Sequence, residues 1–246
     1  KHIAFVTNED GISKLRVLDS STYKERKLPA LPIGVVGGFQ FSPDGQQLAL
    51  SINTATSPSD VYVINLKSAA LTRWSQSEVG GLDSTTFIAP TLIRFKSFDG
   101  REIPAFLYKP EGTGPFPVVI NIHGGPEAQA FPTFSPSIQY MLREMKVAVL
   151  VPNVRGSSGY GKNYLQLDNG FLRKDSVKDG GAFLQWIATH PNLDAKRIVV
   201  SGGSYGGYMS LAVATHYSDR IRCAIDVVGI SHCNTFLKNT EGYRRD

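Results

Sequence analysis

Cysteine is almost missing from this sequence. Cys223 and Cys233 are the only two among 246 residues; they form no C-x-x-C pair, and two cysteines make no metal site alone. Long apolar runs are missing too, so no segment reads as a membrane span. Basic residues are plentiful but scattered. The net charge is +5, the densest cluster is Arg244-Arg245, and neither a basic stripe nor a nucleic-acid module is present, so no nucleic-acid partner is expected. An initiator methionine is absent as well: the chain opens on Lys1-His2-Ile3-Ala4-Phe5. A targeting signal would lie upstream, and location stays open with the cytoplasm favoured. With 41% hydrophobic and 19% charged residues, the composition is that of a globular protein of one large or two modest domains. Cys223 sits in an apolar run and is expected to be a buried thiol.

The first eighty residues read as strands and turns alone. Leu15-Arg16-Val17-Leu18-Asp19 alternates as a half-buried strand does, and its pattern returns at Val61-Tyr62-Val63-Ile64-Asn65-Leu66, while Ile3-Ala4-Phe5 returns at Leu48-Ala49-Leu50. Val17-Leu18-Asp19 maps onto Val63-Ile64-Asn65, a shift of 46 residues (63 − 17). Phe41-Ser42-Pro43-Asp44-Gly45 is a tight turn between strands. An all-strand repeat of this length is what β-propeller blades produce, with a small β-sandwich or meander as the alternative. A helix anywhere in 41–75 would count against propeller blades.

Past residue 80 the text changes to strands alternating with helices, an α/β pattern. Six strands are expected, at 91–95, 103–108, 118–123, 147–152, 197–201 and 223–228. The first two form a hairpin across Asp99-Gly100. Helices are expected near 138–145 and 175–190. Gly202-Gly203-Ser204-Tyr205-Gly206-Gly207-Tyr208 follows one strand and precedes an apolar helical run, Met209 to Thr215. Strand, G-x-S-x-G, helix is the setting of a nucleophile elbow, in which a sharp turn lifts a serine hydroxyl to the tip of a sheet. Ser204 is the candidate nucleophile. The N–H of Tyr205, at the helix N-terminus, is a candidate oxyanion donor.

Four stretches then carry a family likeness: His123-Gly124-Gly125-Pro126, the run Pro152 to Gly161 (PNVRGSSGYG), Asp194-Ala195-Lys196-Arg197-Ile198, and Gly203 to Tyr208. Together with the strand repeat before them, they resemble the prolyl oligopeptidase family of serine peptidases, in its acylaminoacyl-peptidase and dipeptidyl-peptidase branch. The resemblance implies an α/β-hydrolase domain over 81–246, incomplete at its C-terminal side, preceded over 1–80 by the last blades of a β-propeller. It implies hydrolysis of short peptides through an acyl-enzyme on Ser204, with no metal and no organic cofactor. It implies Gly125 N–H as the second oxyanion donor, His123 as a brace of that loop, and Arg155 as a structural tie between loops.

The order of parts in this fold is nucleophile, acid, histidine, and only 42 residues follow Ser204 (246 − 204). The acid and histidine are therefore expected beyond residue 246, leaving this chain nearly inactive by itself. Asp226 or Asp219 with His232 keeps the right order but leaves no room for the intervening strand and helix. A carboxylesterase of the same fold and a non-catalytic fragment remain alternatives. Gly156 to Asn163 nearly fits a phosphate-binding loop, but Asn163 stands where a Ser or Thr hydroxyl is wanted, no clean helix is expected at Lys162, and Asp168-Asn169-Gly170 interrupts. One sheet edge should be open, and with it comes a tendency to self-associate.

Overall fold

The computed structural model describes residues 1–240; the basic pair Arg244-Arg245 lies outside the described residues. The chain divides into two compact units, residues 1–89 with 131–139, and residues 90–130 with the chain from 140 onward.

The first unit holds six antiparallel strands, β1 (His2–Glu9), β2 (Ile12–Asp19), β3 (Gly34–Phe41), β4 (Gln47–Thr54), β5 (Ser57–Asn65) and β6 (Leu71–Arg73). β1 pairs with β2, and the other four form a meander in sequence order. No helix occurs between 41 and 75. Alternation buries one face: Leu48, Leu50 and Ile52 of β4 pack with Val17 of β2 and Ile64 of β5. The 46-residue shift reaches down to single hydrogen bonds. Asp19 Oδ1 accepts from the N–H groups of Ser21 and Thr22, and Asn65 Oδ1 from those of Lys67 and Ser68. Tyr23 N–H returns to Asp19 O as Ala69 N–H returns to Asn65 O. Tyr23 and Ala69 both take positive φ, 56° and 57°. An Asp or Asn closing a strand thus builds the same turn twice, and the Leu18–Glu25 bridge repeats as the Ile64–Leu71 pair. Segment 131–139 is fastened within this unit: Asn53 Oδ1 accepts from Phe134 N–H, and the Gln139 amide donates to Ala55 O and Ile88 O.

The second unit is built on one six-stranded mixed sheet. Its elements are β7 (Thr91–Lys96), β8 (Glu102–Tyr108), β9 (Phe116–Ile122), the end of α1 (Pro136–Arg143), β10 (Ala148–Pro152), α2 (Lys162–Leu165), α3 (Arg173–Thr189), β11 (Leu193–Gly203), α4 (Tyr205–His216), β12 (Cys223–Val227) and α5 (Cys233–Asn239). The sheet order is β12-β11-β9-β10-β8-β7. β10, β9, β11 and β12 run parallel, while β7 and β8 are antiparallel additions beyond β10. The hairpin turns at Gly100, φ 79°. The central strands read as unbroken Val and Ile because both faces are covered: Val118, Ile120, Ala148, Leu150 and Val200 are fully buried, and α3 and α4 pack Phe183, Ile187, Met209 and Val213 against them.

Three expectations need correction. Cys223 is exposed, because β12 is bonded on one side only among the described residues and its side chains meet solvent along most of its length. A helix does open at Lys162, though it lasts four residues before two 3-10 turns replace it. The helix after Ser204 begins at Tyr205, four residues ahead of Met209, since glycines at 206 and 207 are tolerated where close packing needs them.

Candidate active site

Ser204 stands between β11 and α4 with φ 55° and ψ −116°. A non-glycine residue with these angles is strained, at a cost of about 1–3 kcal/mol, and such strain gathers at functional sites. The surroundings hold it there. Ser204 N–H donates to Val227 O at 2.9 Å, and Ser204 O accepts from Tyr208 N–H at 3.0 Å. A Cβ at Gly206 would collide with the Ile122 carbonyl oxygen, and one at Gly202 with the Gly206 backbone, so glycine is needed at both. The outcome is an exposed serine followed at once by buried Tyr205, Gly206 and Gly207.

β9 is the parallel neighbour of β11, with Ile122 opposite Gly202. The loop that leaves β9 therefore emerges beside the elbow: a Cβ at Gly124 would lie 3.6 Å from Ser204 Cβ. Gly125 takes φ 125°, in the region open to glycine. Among the described residues neither Gly125 N–H nor Tyr205 N–H has an acceptor. Tyr205 N–H is the first of α4 and belongs to the group of donors that a helix leaves free at its start.

His123 is half-buried, and burial lowers its pKa against the opposing contact with Gly124 O. Nδ1 lies 2.7 Å from Gly124 O and Nε2 2.8 Å from Ser157 Oγ. The ring is neutral and tied into the loop. His232 caps α5, its Nδ1 accepting from Thr235 N–H at 3.2 Å. Asp226 Oδ1 accepts from Gly229 N–H at 2.8 Å, and Asp219 lies in a 3-10 turn. Among the described residues no imidazole is hydrogen-bonded to Ser204, whose side chain makes no capping bond either.

Behind the elbow lies a cluster of buried charges. Asp168, fully buried, accepts from Tyr205 Oη at 2.7 Å, from Ser176 Oγ, and from Arg173 Nε and Nη2 at 3.1 and 3.0 Å. Burial raises the Asp168 carboxyl, and these donors oppose it. Burial, with the Asp168 carboxylate nearby, pushes the Tyr205 hydroxyl well above its ordinary range, so it remains a protonated donor. Arg155, 2% exposed, grips Asp179 through Nε and Nη2 at 2.9 and 2.7 Å and Asp99 through Nη1 and Nη2 at 3.2 and 3.3 Å. Burial favours the protonated Asp99 carboxyl, but the Arg155 bonds outweigh it and hold the pKa low. Arg155 joins the loop after β10 to α3 and to the β7–β8 hairpin, which is the structural tie expected of it. The glycines of the phosphate-loop-like stretch face side chains: a Cβ at Gly156 would sit 2.5 Å from Asp168 Cβ, and one at Gly159 would strike the Gln129 amide. A cradle filled by a carboxylate and an amide has no room for phosphate. Asp168 was read only as part of a helix-interrupting Asp-Asn-Gly, and its sequence carries no periodic signal that would have marked it as buried.

Residues 132–245 match the prolyl oligopeptidase family. The uncharacterized peptidase YuxL of Bacillus subtilis (strain 168) is 30% identical over 205 residues, 82% of this chain and 31% of that protein. Dipeptidyl aminopeptidase BIII of Pseudoxanthomonas mexicana is 26% identical over 226 residues, 88% of this chain and 32% of that protein. The solved acylaminoacyl peptidase of Pyrococcus horikoshii superposes with a TM-score of 0.76 at 25% identity, covering 96% of this chain and 37% of that one. The chain spans about a third of the length of the curated relatives it matches. The elbow serine lies inside the stretch that matches the prolyl oligopeptidase family, and this chain is similar to peptidases of that kind in both sequence and fold.

Proposed function

We propose that this chain carries the nucleophile and the oxyanion-binding part of a serine peptidase acting within a longer protein. The observation that carries the reading is Ser204: exposed, held at a strained positive φ between a parallel strand and a helix N-terminus, and flanked by glycines that admit no side chain. Ser204 Oγ attacks the scissile carbonyl carbon. The carbonyl oxygen becomes an oxyanion that accepts from Tyr205 N–H and Gly125 N–H, two donors without acceptors among the described residues. The tetrahedral species collapses to an acyl-enzyme as the amine leaves with a proton, and water then releases the acid. These steps make and break C–O and C–N bonds and move protons with no change of oxidation state, and this reading assigns them no metal and no organic cofactor.

His123 is not the base in this reading, because both ring nitrogens are committed to the loop and burial keeps the ring neutral. The base and its acid come from outside this chain, which by itself is nearly inactive. Short peptides are the substrates, and the repeated strands of the first unit contribute to a propeller. The reading is tested by assaying the full-length protein on aminoacyl and peptidyl amides beside p-nitrophenyl esters. Amide cleavage that Ser204→Ala abolishes is expected. Ester cleavage with no amide cleavage would make it a carboxylesterase instead.

A further inference from the structure

The loop between β10 and α3 contains the glycine-rich stretch that resembles a phosphate loop, and the chemistry above gives it no part. Its geometry points to a different role, which rests on the reading of Ser204 as nucleophile with Tyr205 and Gly125 as oxyanion donors. Two of its side chains each hold one donor. The first is Ser157, fully buried, whose Oγ lies 2.8 Å from His123 Nε2. The other imidazole nitrogen lies 2.7 Å from Gly124 O. Gly124 C=O and Gly125 N–H belong to one planar peptide, so fixing the oxygen on one side fixes where the N–H points on the other. In the neutral ring Nδ1–H donates to Gly124 O, and the Ser157 hydroxyl proton is shared between Nε2 and Val154 O at 2.6 Å. The second is Asp168, which accepts from Tyr205 Oη at 2.7 Å and so holds the residue whose backbone N–H is the other donor.

The two side chains are parts of one small body. Gly156, at φ 94°, lets the loop fold back so that its α-carbon sits against Asp168. Gly156 N–H donates to Tyr164 O at 3.1 Å, Ser157 N–H donates to Val154 O at 3.0 Å, and Tyr164 Oη donates to Asn153 O at 2.7 Å. Arg173 adds its guanidinium to Asp168 and lies 5.4 Å from the Tyr205 ring centre. We propose that Ser157 and Asp168 are positioning residues that hold the two oxyanion donors in register from one shared loop: Ser157 acts through His123 and the Gly124–Gly125 peptide, and Asp168 acts through the Tyr205 side chain.

The test uses the full-length protein and three variants, Ser157→Ala, Tyr205→Phe and Asp168→Asn. Active sites are titrated to completion with a fluorophosphonate, and kcat and KM for a peptide amide are expressed per titrated site. Tyr205→Phe removes only the hydroxyl that reaches Asp168, so it keeps the question answerable if Asp168→Asn fails to fold. Each variant is expected to lower kcat per site about tenfold, because small displacements of oriented groups carry costs of that order, with KM within about twofold of wild type and slower fluorophosphonate reaction. A residue that only supports the fold would lower the melting temperature and the fraction of titratable sites while leaving kcat per site unchanged. Unchanged kcat per site in Ser157→Ala or in Tyr205→Phe overturns the half of the proposal that variant probes. Ser204→Ala separates the two levels: if it still labels and still turns over, the nucleophile reading falls and the brace with it. If it is dead while the braced variants match wild type, the brace alone falls.

Discussion

The two flanks of the Ser204 elbow are built to different standards. On the β9–β10 flank, Arg155, Ser157 and Asp168 of the segment after β10 and Asp179 of α3 are completely or nearly buried, and each is bonded to two or more partners. On the β12 flank, Ile225, Val227 and Val228 are 50%, 51% and 85% exposed, and among the described residues the Asp226 and His232 side chains bond only within their own turns. The difference is one of kind: buried side-chain bonds brace the elbow from the β10 side, whereas β12 holds it through its backbone, Val227 O accepting from Ser204 N–H.

The comparison breaks most severely at Arg155. Arg155→Ala strands the buried Asp179 carboxylate and frees the β7–β8 hairpin turn, and should cost about 3–5 kcal/mol, as removal of one partner of a buried ion pair does; chemical denaturation of the variant checks this. Gly206→Ala comes next. Its methyl group meets the Ile122 carbonyl oxygen, so β9 and α4 must separate, at a cost of about 1–3 kcal/mol for overpacking, and fluorophosphonate reaction at Ser204 in the full-length protein should be lost with it.

A pH titration sharpens the same contrast. The His123 pKa is lowered in the fold from an ordinary value of 6.5, so the unfolded chain binds more protons as the pH falls below that value. The contribution of His123 is complete above about pH 6.5 and is lost as pH falls towards the lower folded value. His123→Gln should therefore flatten the loss of stability in that window, measured as melting temperature against pH. Smallest of all is Ile225→Lys on β12, expected to shift stability by no more than about 0.5 kcal/mol, as surface substitutions do. It should nonetheless reduce self-association of the 246-residue chain in sedimentation, since an open apolar edge strand promotes pairing.

Much of this was legible because it rests on period and on glycine. All six strands of the second sheet were marked by runs such as Val118 to Ile122 and Val147 to Val151, and the elbow by its glycines. The 46-residue repeat was visible in Val17-Leu18-Asp19 and Val63-Ile64-Asn65, and its cause, the same side-chain turn at Asp19 and Asn65, became plain only in the hydrogen bonds. What stayed hidden depends on long-range pairing. Asp168 lies 37 positions from Tyr205 in the sequence, in a stretch without helical or strand period. The exposure of Cys223 was missed for a related reason: an apolar run announces a strand but not whether both of its sides are covered. The α5 helix was not read either, for its start is signalled only by a histidine cap.

The central claim is that Ser204 is the nucleophile of a serine peptidase. It is tested most directly by reacting the full-length protein with a fluorophosphonate and locating the adduct by peptide mass mapping. The account predicts a single rapid adduct on the peptide containing Ser204, absent in Ser204→Ala, and slow or no reaction in the 246-residue chain alone. An adduct on another residue, or labelling that survives Ser204→Ala, would contradict it.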